Sequence, residues 1–257
     1  MTISLLHLNI NADNFWDSLI PFLNSHDFDI IHLQEVTGKE TRCGNFYSKR
    51  DTFAELQNVL KDTHYGELSI TQRYTSSPHS YFGNATFYKR AFSLLEKKEI
   101  VLYHEIDFFP SDAKTFEGVG RKLLHLKLAV DGKAISFLNT HFAWGPTPHE
   151  QPYQTEQGNT LIAYLKTIDK LFVFTGDLNL TSDQPTIQKL GEIATNLTQK
   201  KHITNTLNPR LHKVKQLFPQ GLAVDYIFLT EGITVKSFAV LEDDISDHFG
   251  LTAVLEI

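Results

Sequence analysis

The sequence predicts a mixed α/β fold that contains antiparallel strand pairs, and three observations favour it. Strand-like and helix-like segments alternate from one end of the 257 residues to the other. The dipeptide Asp131-Gly132 separates two apolar runs, which is a strong signal for a tight hairpin and therefore for antiparallel strands. No internal repeat or Pro/Gly/Ser-rich linker interrupts the chain, so we expect one domain over residues 1–257.

The first third of the chain alternates strands with helices. Residues 3–10 and 28–34 are apolar runs of strand length. Thr52 and Glu55 have the spacing of a capping box, so the sequence predicts a helix capped by Thr52. Between the two strands, apolar side chains recur at helical spacing and predict an amphipathic helix: Phe15, Trp16, Leu19, Phe22 and Leu23.

The middle of the chain is predicted to be rich in strands, and the last third mixes strands with helices. The predicted middle strands are residues 67–74, 85–88, 93–103, 123–130 and 134–139. The predicted later helices are residues 155–168 and 184–193, and the predicted later strands are residues 171–175, 224–229, 234–240 and 251–256.

Composition excludes several classes of protein. Cys43 is the only cysteine, which rules out an internal disulfide and a cysteine-based zinc site. No basic segment followed by an apolar core marks a signal peptide, and no apolar stretch is long enough to span a membrane. We therefore expect a cytoplasmic protein, and no feature indicates an obligate protein partner.

The charge balance bears on the substrate. The formal net charge is −6, whereas proteins that bind duplex DNA non-specifically tend to be basic. A solvated surface and a local groove for a phosphate backbone are both open interpretations of two basic groups. These groups are Arg42, Lys49 and Arg50, and Lys200, Lys201, Arg210, Lys213 and Lys215.

Polar residues that can bind metal or move protons stand at the ends of the predicted strands. Each one alone is an ordinary turn, cap or hydrogen-bonding residue. Because strand ends at one rim of a sheet converge, the set together predicts a catalytic site. Its members are Asn9, Glu35, His141, Asp177, Asn179, Asp225, Asp247 and His248.

The ligand types indicate which cation such a site would hold. Several carboxylates at one rim repel one another unless a cation binds them. Carboxylate and amide oxygens are hard donors that suit Mg²⁺ or Mn²⁺, and no closely spaced histidine pair favours zinc. A hard dication beside these residues suits hydrolysis of a phosphate ester, since the metal neutralises phosphate charge while a carboxylate or histidine activates water.

Six segments that contain these residues, in this order, resemble the endonuclease/exonuclease/phosphatase superfamily, which includes the DNase I-like nucleases. The resemblance covers essentially the whole chain. It implies a four-layered α/β/β/α sandwich with the site at one edge, and a metal-dependent hydrolase that acts on phosphate ester bonds. The segments are Leu8-Asn9-Ile10, Leu33-Gln34-Glu35-Val36, Asn139-Thr140-His141-Phe142, Gly176-Asp177-Leu178-Asn179, Val224-Asp225-Tyr226-Ile227 and Ser246-Asp247-His248.

The resemblance also implies which residues hold the metal and which act on the substrate. Asn9, Glu35 and Asp247 would bind Mg²⁺, with Mn²⁺ as an alternative. The implied catalytic residues are His141, Asp177, Asn179, Asp225 and His248.

The implied catalytic residues have separate roles. Asp225 would hold His248, which would act as general base or bind the phosphate. Asp177 would orient or deprotonate the attacking water, and Asn179 would position that water against the phosphorus. His141 would stabilise the pentacovalent phosphate or protonate the leaving group.

Two further residues are candidates for binding substrate. Arg121 lies in a segment similar to that of the tyrosyl-DNA phosphodiesterase branch, and His141 fits that branch as well as the nuclease, phosphatase and sphingomyelinase branches. Residues 142–146, which contain Trp144, depart from the tyrosyl-DNA phosphodiesterase pattern. Trp144 could stack on a base, cover an acyl chain or pack its loop onto the body.

We therefore expect first a Mg²⁺-dependent nuclease, an endonuclease or exonuclease, that hydrolyses phosphodiester bonds in nucleic acid. The alternatives are a phosphatase or a sphingomyelinase-type phosphodiesterase acting on a small or lipid phosphate, and a tyrosyl-DNA phosphodiesterase. An inactive binding domain is the least favoured, since all the expected positions carry competent residue types.

Overall fold

Two six-stranded sheets form the centre of the molecule. The computed structural model describes residues 1–43, 46–105, 107–112, 118–147, 149–168, 171–213 and 221–257. From edge to edge, the first sheet contains β13 (Thr234–Leu241), β14 (Gly250–Glu256), β1 (Thr2–Asn9), β2 (Ile30–Thr37), β6 (Tyr81–Lys89) and β5 (His64–Arg73). The second sheet contains β11 (Thr195–Asn196), β12 (Asp225–Leu229), β10 (Phe172–Asp177), β9 (Lys133–His141), β8 (Arg121–Val130) and β7 (Ser93–Tyr103). A separate short hairpin pairs β3 (Thr41–Cys43) with β4 (Phe46–Ser48).

Helices lie on the outer faces of both sheets. The first sheet is covered by α1 (Trp16–Ser25) and α2 (Thr52–Leu60). The second sheet is covered by α3 (Pro152–Leu165) and α4 (Pro185–Gly191), while α5 (Leu197–Lys200) is a single turn after β11. The layers are therefore helix, sheet, sheet and helix, which confirms the predicted α/β/β/α sandwich. Within the described ranges, no helix is long and apolar enough to cross a membrane.

Three apolar clusters fill the interfaces between these layers. The central cluster lies between the sheets and joins Leu5 of β1 to Phe137 of β9 and Val173 of β10. One outer cluster contains Leu19 of α1, and the other contains Leu161 of α3. Because burying a large apolar side chain contributes roughly 1.5–3 kcal/mol, these clusters supply most of the favourable free energy of folding.

The alternation of side chains along the strands positions the polar residues. In β1, Leu5 faces the second sheet, and the next two side chains on the same face are His7 and Asn9. In β10, Val173 faces the first sheet and Asp177 follows it on that face at the strand end. The layer between the sheets therefore changes from apolar to polar towards one end of the sandwich.

The predicted hairpin between β8 and β9 is confirmed. Val130 pairs with Lys133, which leaves Asp131 and Gly132 as a two-residue turn. Their φ angles are +47° and +79°, so both residues are left-handed, as a tight hairpin of this type requires. Glycine adopts this conformation freely and aspartate tolerates it.

The predicted cap of α2 was wrong. Asp51 is the capping residue, because its Oδ1 accepts a hydrogen bond of 3.0 Å from the backbone N of Ala54. Thr52 instead turns inward, where its Oγ1 accepts a hydrogen bond of 2.8 Å from the backbone N of Thr37. The side chain that would have capped the helix is thus used to attach it to β2.

The start of α3 also differs from the prediction, which placed it at residue 155. The helix begins at Pro152, which suits a first position because that position needs no N–H donor. Gln151 and Gln154 form a reciprocal capping box around this start. The short elements β3, β4, β11 and α5 were not predicted, because none is long enough to give a periodic pattern.

Candidate active site

Three strands of the second sheet deliver a row of polar side chains to one end of the sandwich. Asp177, the last residue of β10, pairs with His141 in the parallel strand β9 and with Asp225 in the antiparallel strand β12. Because directly paired residues project to the same face of a sheet, all three side chains face the first sheet. All three are buried.

Asn9, at the end of β1, bridges the gap between the sheets. Its Nδ2 donates a hydrogen bond of 3.0 Å to Oδ2 of Asp177. The same oxygen lies 3.5 Å from Nε2 of His141 and 3.8 Å from Nε2 of His248. One carboxylate oxygen is therefore the point at which three of the predicted residues meet.

Glu35 enters the site through an irregularity in β2. The pairing of β2 with β6 shifts register between Leu33 and Val36, and Glu35 has a left-handed backbone with a φ of +55°. A bulge redirects a side chain, and such a conformation in a non-glycine residue costs on the order of 1–3 kcal/mol. Burial and the nearby carboxylate of Asp247 raise the pKa of Glu35 to about 7.

Asp247 and His248 come from the segment that precedes β14. Nδ1 of His248 lies 2.9 Å from Oδ2 of Asp225, so the predicted pairing of these two residues is present. Two residues that were not predicted also hold Asp225. Thr206 Oγ1 donates a hydrogen bond of 2.7 Å to Oδ2, and His7 Nε2 lies 3.0 Å from Oδ1.

Asn179 joins Asp177 to His141. Its backbone N donates to Oδ1 of Asp177 at 3.0 Å, and its φ of +49° is one that asparagine tolerates. Its Nδ2 lies 3.1 Å from both the carbonyl oxygen of Phe142 and Nε2 of His141. Since a carbonyl only accepts, the amide nitrogen is the donor, and Nε2 of His141 carries the lone pair in this arrangement.

Burial and neighbouring charges separate the pKa values of the site. Burial, followed by the field of Asp225, raises the pKa of Asp177 to about 6. Burial opposes the charged form of Asp225 as well, but the charge and hydrogen bond of His248 hold its pKa below the ordinary value. Burial lowers the pKa of His248, yet Asp225 and Asp177 outweigh it and raise that pKa well above the ordinary value. Burial and then Arg121 lower the pKa of His141 well below its ordinary value.

The residues present fit a hard divalent cation. Ligand atoms of Asp177, Asp225 and His248 lie within 4.8 Å of one another, but both oxygens of Asp225 already accept hydrogen bonds. Glu35 and Asp247 offer carboxylate oxygens whose mutual repulsion raises the pKa of Glu35, and a dication would reverse this effect. Glu35 and Asp247 are therefore better candidate ligands than Asp225.

A cavity of about 240 Å³ opens over these residues. Both predicted substrate-binding residues line it. Arg121, the first residue of β8, is buried, and its Nε has no hydrogen-bond partner among the described residues. Trp144, on the loop after β9, keeps 50% of its surface exposed.

Sequence reasoning missed several residues that line this cavity: Asn11, Tyr74, Phe82 and His212. They come from separate segments that carry no motif of their own. Tyr74 directly follows β5, so the rule that functional side chains stand at strand ends could have found it. Phe82 lies inside β6, where a buried aromatic side chain is ordinary.

Lys215 lies outside the described residues, and the other basic residues considered for a phosphate-backbone groove do not line the cavity. Arg50 pairs with Glu55 at 2.9 Å, and Arg210 pairs with Asp244 at 2.7 Å. These contacts are those of a solvated surface, and among the described residues that line the cavity Arg121 and His248 carry positive charge.

Two packed sheets between helical layers, with carboxylates, histidines and amides meeting at one end, define a DNase I-like fold. The chain belongs to the endonuclease/exonuclease/phosphatase family, whose sequence profile matches residues 6–248. Members of this family are hydrolases that act on phosphate esters and generally use a divalent metal. A search among curated proteins gave no significant match.

Solved structures share this fold at low sequence identity. An endonuclease/exonuclease/phosphatase from Bacteroides vulgatus has a TM-score of 0.73 at 20% identity, covering 100% of this chain and 99% of that one. The mannosyl-6-phosphatase Bt3783 of Bacteroides thetaiotaomicron has a TM-score of 0.71 at 16% identity, covering 99% and 100%. The human Nocturnin catalytic domain has a TM-score of 0.73 at 17% identity, covering 99% and 93%. At these identities the likeness concerns the fold alone.

Proposed function

We propose that this protein is a Mg²⁺-dependent phosphoesterase that hydrolyses phosphodiester bonds in nucleic acid. The observation that supports this most is the cluster around Oδ2 of Asp177. That oxygen lies 3.0 Å from Asn9, 3.5 Å from His141 and 3.8 Å from His248, and it borders the cavity. A carboxylate surrounded in this way is suited to position water beside a phosphate.

The cation would be held by Asn9, Glu35 and Asp247. Mg²⁺ prefers oxygen ligands of this kind, and Mn²⁺ accepts the same set. When bound, the cation neutralises phosphate charge and stabilises the leaving oxygen.

The remaining polar residues act directly on water and phosphate. Asp177 orients the attacking water and takes its proton, while Asn179 fixes Oδ1 of Asp177 through its backbone N–H. His248, held by Asp225, keeps a positive charge for a phosphate oxygen or for the leaving group. His141 contacts the phosphate as a neutral ring whose orientation depends on Asn179.

Arg121 and Trp144 support a nucleic-acid substrate. A buried guanidinium whose Nε has no partner among the described residues is suited to a phosphate oxygen. A half-exposed indole at the same cavity offers a face on which a base can stack. Because the net charge is −6 and the described basic groups lie away from the cavity, a single strand or a strand end fits better than a long duplex.

A phosphatase for a small phosphorylated molecule is the second candidate. The cavity volume of about 240 Å³ is large enough for a phosphate with one attached ring, and it favours a compact ligand. One protein of the same fold is a mannosyl-6-phosphatase, so the fold accommodates such a substrate.

An activity panel tests the proposal. The purified protein is assayed with Mg²⁺, with Mn²⁺ and with EDTA on single-stranded DNA, duplex DNA, RNA, a 5′-phosphotyrosyl oligonucleotide, sphingomyelin and sugar phosphates. Asp177→Asn and His248→Ala are compared with Glu231→Gln, a change at an exposed turn of the same chain. We expect Mg²⁺-dependent cleavage of single-stranded nucleic acid that both site variants lose and the surface variant keeps.

Two other results would change the assignment. If only sugar phosphates were hydrolysed, and the site variants lost this activity, the protein would be a phosphatase that uses the same residues. Activity that persists in Asp177→Asn or in EDTA would contradict the proposed site and its cation.

A further inference from the structure

His7 is a buried histidine beneath the candidate active site. It lies in β1, two residues before Asn9, and its side chain points between the sheets. Nε2 of His7 lies 3.0 Å from Oδ1 of Asp225, and Nδ1 lies 3.2 Å from Nε2 of Gln34. Both partners are buried as well, so these contacts are shielded from solvent.

A chain of hydrogen bonds fixes which nitrogen of His7 carries the proton. Nδ2 of Asn139 donates to two backbone carbonyls of the first sheet, at 3.1 and 2.9 Å. Carbonyls only accept, so Oδ1 of Asn139 faces Gln34 and receives the Gln34 amide N–H at 2.6 Å. The same Gln34 amide nitrogen therefore donates to Nδ1 of His7. His7 is consequently protonated on Nε2, from which it donates to Asp225.

This donor determines how the Asp225 carboxylate is turned. Oδ2 accepts from Thr206 Oγ1 at 2.7 Å and from His248 Nδ1 at 2.9 Å. Oδ1 has His7 as its side-chain donor. Donors on both oxygens fix the plane of the carboxylate, and that plane sets the direction of the His248 ring.

We propose that His7 is a positioning residue for catalysis: through Asp225 it keeps Nε2 of His248 directed at Asp177 and the cavity. This inference rests on the proposed function, since it concerns the same site. His7 does not reach the cavity, so it acts only through Asp225.

Removing the donor has a defined consequence. Oδ1 of Asp225 would remain buried without its side-chain donor, and the carboxylate would turn towards other donors. The His248 ring would then turn away from Asp177, while the other groups that contact substrate stay in place. The turnover number is therefore expected to fall with little change in KM.

The chain offers a matched set of variants. His7→Leu removes the donor, whereas His7→Gln keeps an N–H donor near the position of Nε2. His32→Leu is the control, because His32 is the Cα partner of His7 in the adjacent strand and is equally buried. Its Nδ1 contacts Thr175 Oγ1 at 2.8 Å rather than Asp225.

Steady-state kinetics give the first readout. We expect kcat of His7→Leu to fall about 10- to 100-fold with KM changed less than about twofold, as for loss of an orienting partner. His7→Gln should recover kcat to within about threefold of wild type, and His32→Leu should stay in the same range. Wild-type kcat in His7→Leu, or an equal loss in His7→Gln or His32→Leu, would overturn the proposal.

Histidine NMR gives a second readout that does not depend on activity, and its first part needs only the wild-type protein. Long-range ¹H–¹⁵N correlation of the wild-type protein should report His7 as the neutral form protonated on Nε2. The Nδ1–H signal of His248 should shift in His7→Leu and stay unchanged in His32→Leu. Protonation of His7 on Nδ1, or a His248 signal indifferent to His7, would overturn the proposal even for a protein without turnover.

The two readouts separate the two proposals. If the wild-type protein cleaves no substrate but gives the expected histidine signals, the proposed function is wrong and the link between His7 and His248 stands. If the wild-type protein cleaves substrate and His7→Leu has the same kcat, the proposed function stands and the positioning role of His7 is wrong.

Discussion

Asp177 and Asp225 are directly paired across β10 and β12, yet their pKa values move in opposite directions. Asp225 accepts hydrogen bonds from two histidines and Thr206, which stabilise its anion despite burial. Asp177 faces that anion, so burial and repulsion favour its protonated form. The two carboxylates therefore have different roles: Asp225 stays charged and holds its neighbours in place, whereas Asp177 can exchange a proton.

Asp225→Asn should remove most of the activity without unfolding the protein. The amide cannot stabilise a charged His248, and its NH₂ group must face a donor on one side or the other. We expect kcat to fall by up to about 10⁴, the loss found when the orienting aspartate of a catalytic triad is changed to asparagine. Glu231→Gln serves as the surface control, and a kcat for Asp225→Asn close to that of the control would contradict the anchoring role.

Glu35→Gln should weaken cation binding and stabilise the metal-free protein. The pKa of Glu35 in the folded protein is raised to about 7, so its contribution to stability is lost as the pH rises through that value. The neutral amide of Glu35→Gln avoids the cost of burying a charged carboxylate. In EDTA at mildly alkaline pH we therefore expect the free energy of unfolding of Glu35→Gln to be about 1 kcal/mol higher than that of wild type.

Titration calorimetry with Mn²⁺ checks the other half of this prediction. The affinity of Glu35→Gln should be at least about tenfold lower than that of wild type, because a carboxylate ligand is lost. Glu231→Gln, an exposed change in a turn, should alter neither quantity. Unchanged Mn²⁺ affinity in Glu35→Gln would place the cation elsewhere.

His32 should make the protein less stable in acid. Burial, then the nearby His7, lowers its pKa from 6.5 to about 3. Between these values the unfolded chain binds a proton that the folded protein does not, so the free energy of unfolding falls by about 1.4 kcal/mol per pH unit of acidification. The free energy of unfolding is measured with denaturant at several pH values below 6.5. Its decrease per pH unit of acidification should be smaller for His32→Leu than for wild type. Equal slopes would mean that His32 gains its proton without unfolding.

Trp144→Ala should weaken binding of nucleic acid but leave the fold intact. Half of the side chain is already exposed, so little packing is lost. Stacking of a base on an aromatic ring contributes about 1–3 kcal/mol, which corresponds to a KM for single-stranded substrate about 5- to 150-fold higher. Trp144→Phe should keep most of the binding. An unchanged KM in Trp144→Ala would assign the indole to packing of its loop.

Much of the site was predictable because alternation in a strand and convergence of strand ends are local rules. Asn9 and Asp177 face each other since each has the same parity as the apolar residues that precede it in its strand. The hairpin at Asp131-Gly132 was predicted from its dipeptide, another local signal, whereas the arrangement of two packed sheets came from the family resemblance. Mg²⁺ and the individual roles came from ligand chemistry and the family resemblance, and they remain predictions.

The rest depends on contacts between distant segments. The direction of the Glu35 side chain depends on a bulge that forms only when β2 pairs with β6. His7 looked like an ordinary strand residue, because its partners Asp225 and Gln34 lie 218 and 27 residues away. Thr52 matched a capping box by spacing, but its contact with β2 prevailed.

The position of β14 beside β1 has a consequence for synthesis of the protein. The two strands pair with Thr2 opposite Glu256, and Asp247 and His248 lie immediately before β14. Translation therefore supplies Asn9 early and the site residues Asp247 and His248 only after every strand except β14 has been made. A nascent chain that has reached β13 contains every strand of the second sheet but lacks both the strand that completes the first sheet and the residues that complete the site. Nascent chains that end at β13 should therefore be hydrolytically inactive, and activity should begin only when β14 inserts between β13 and β1.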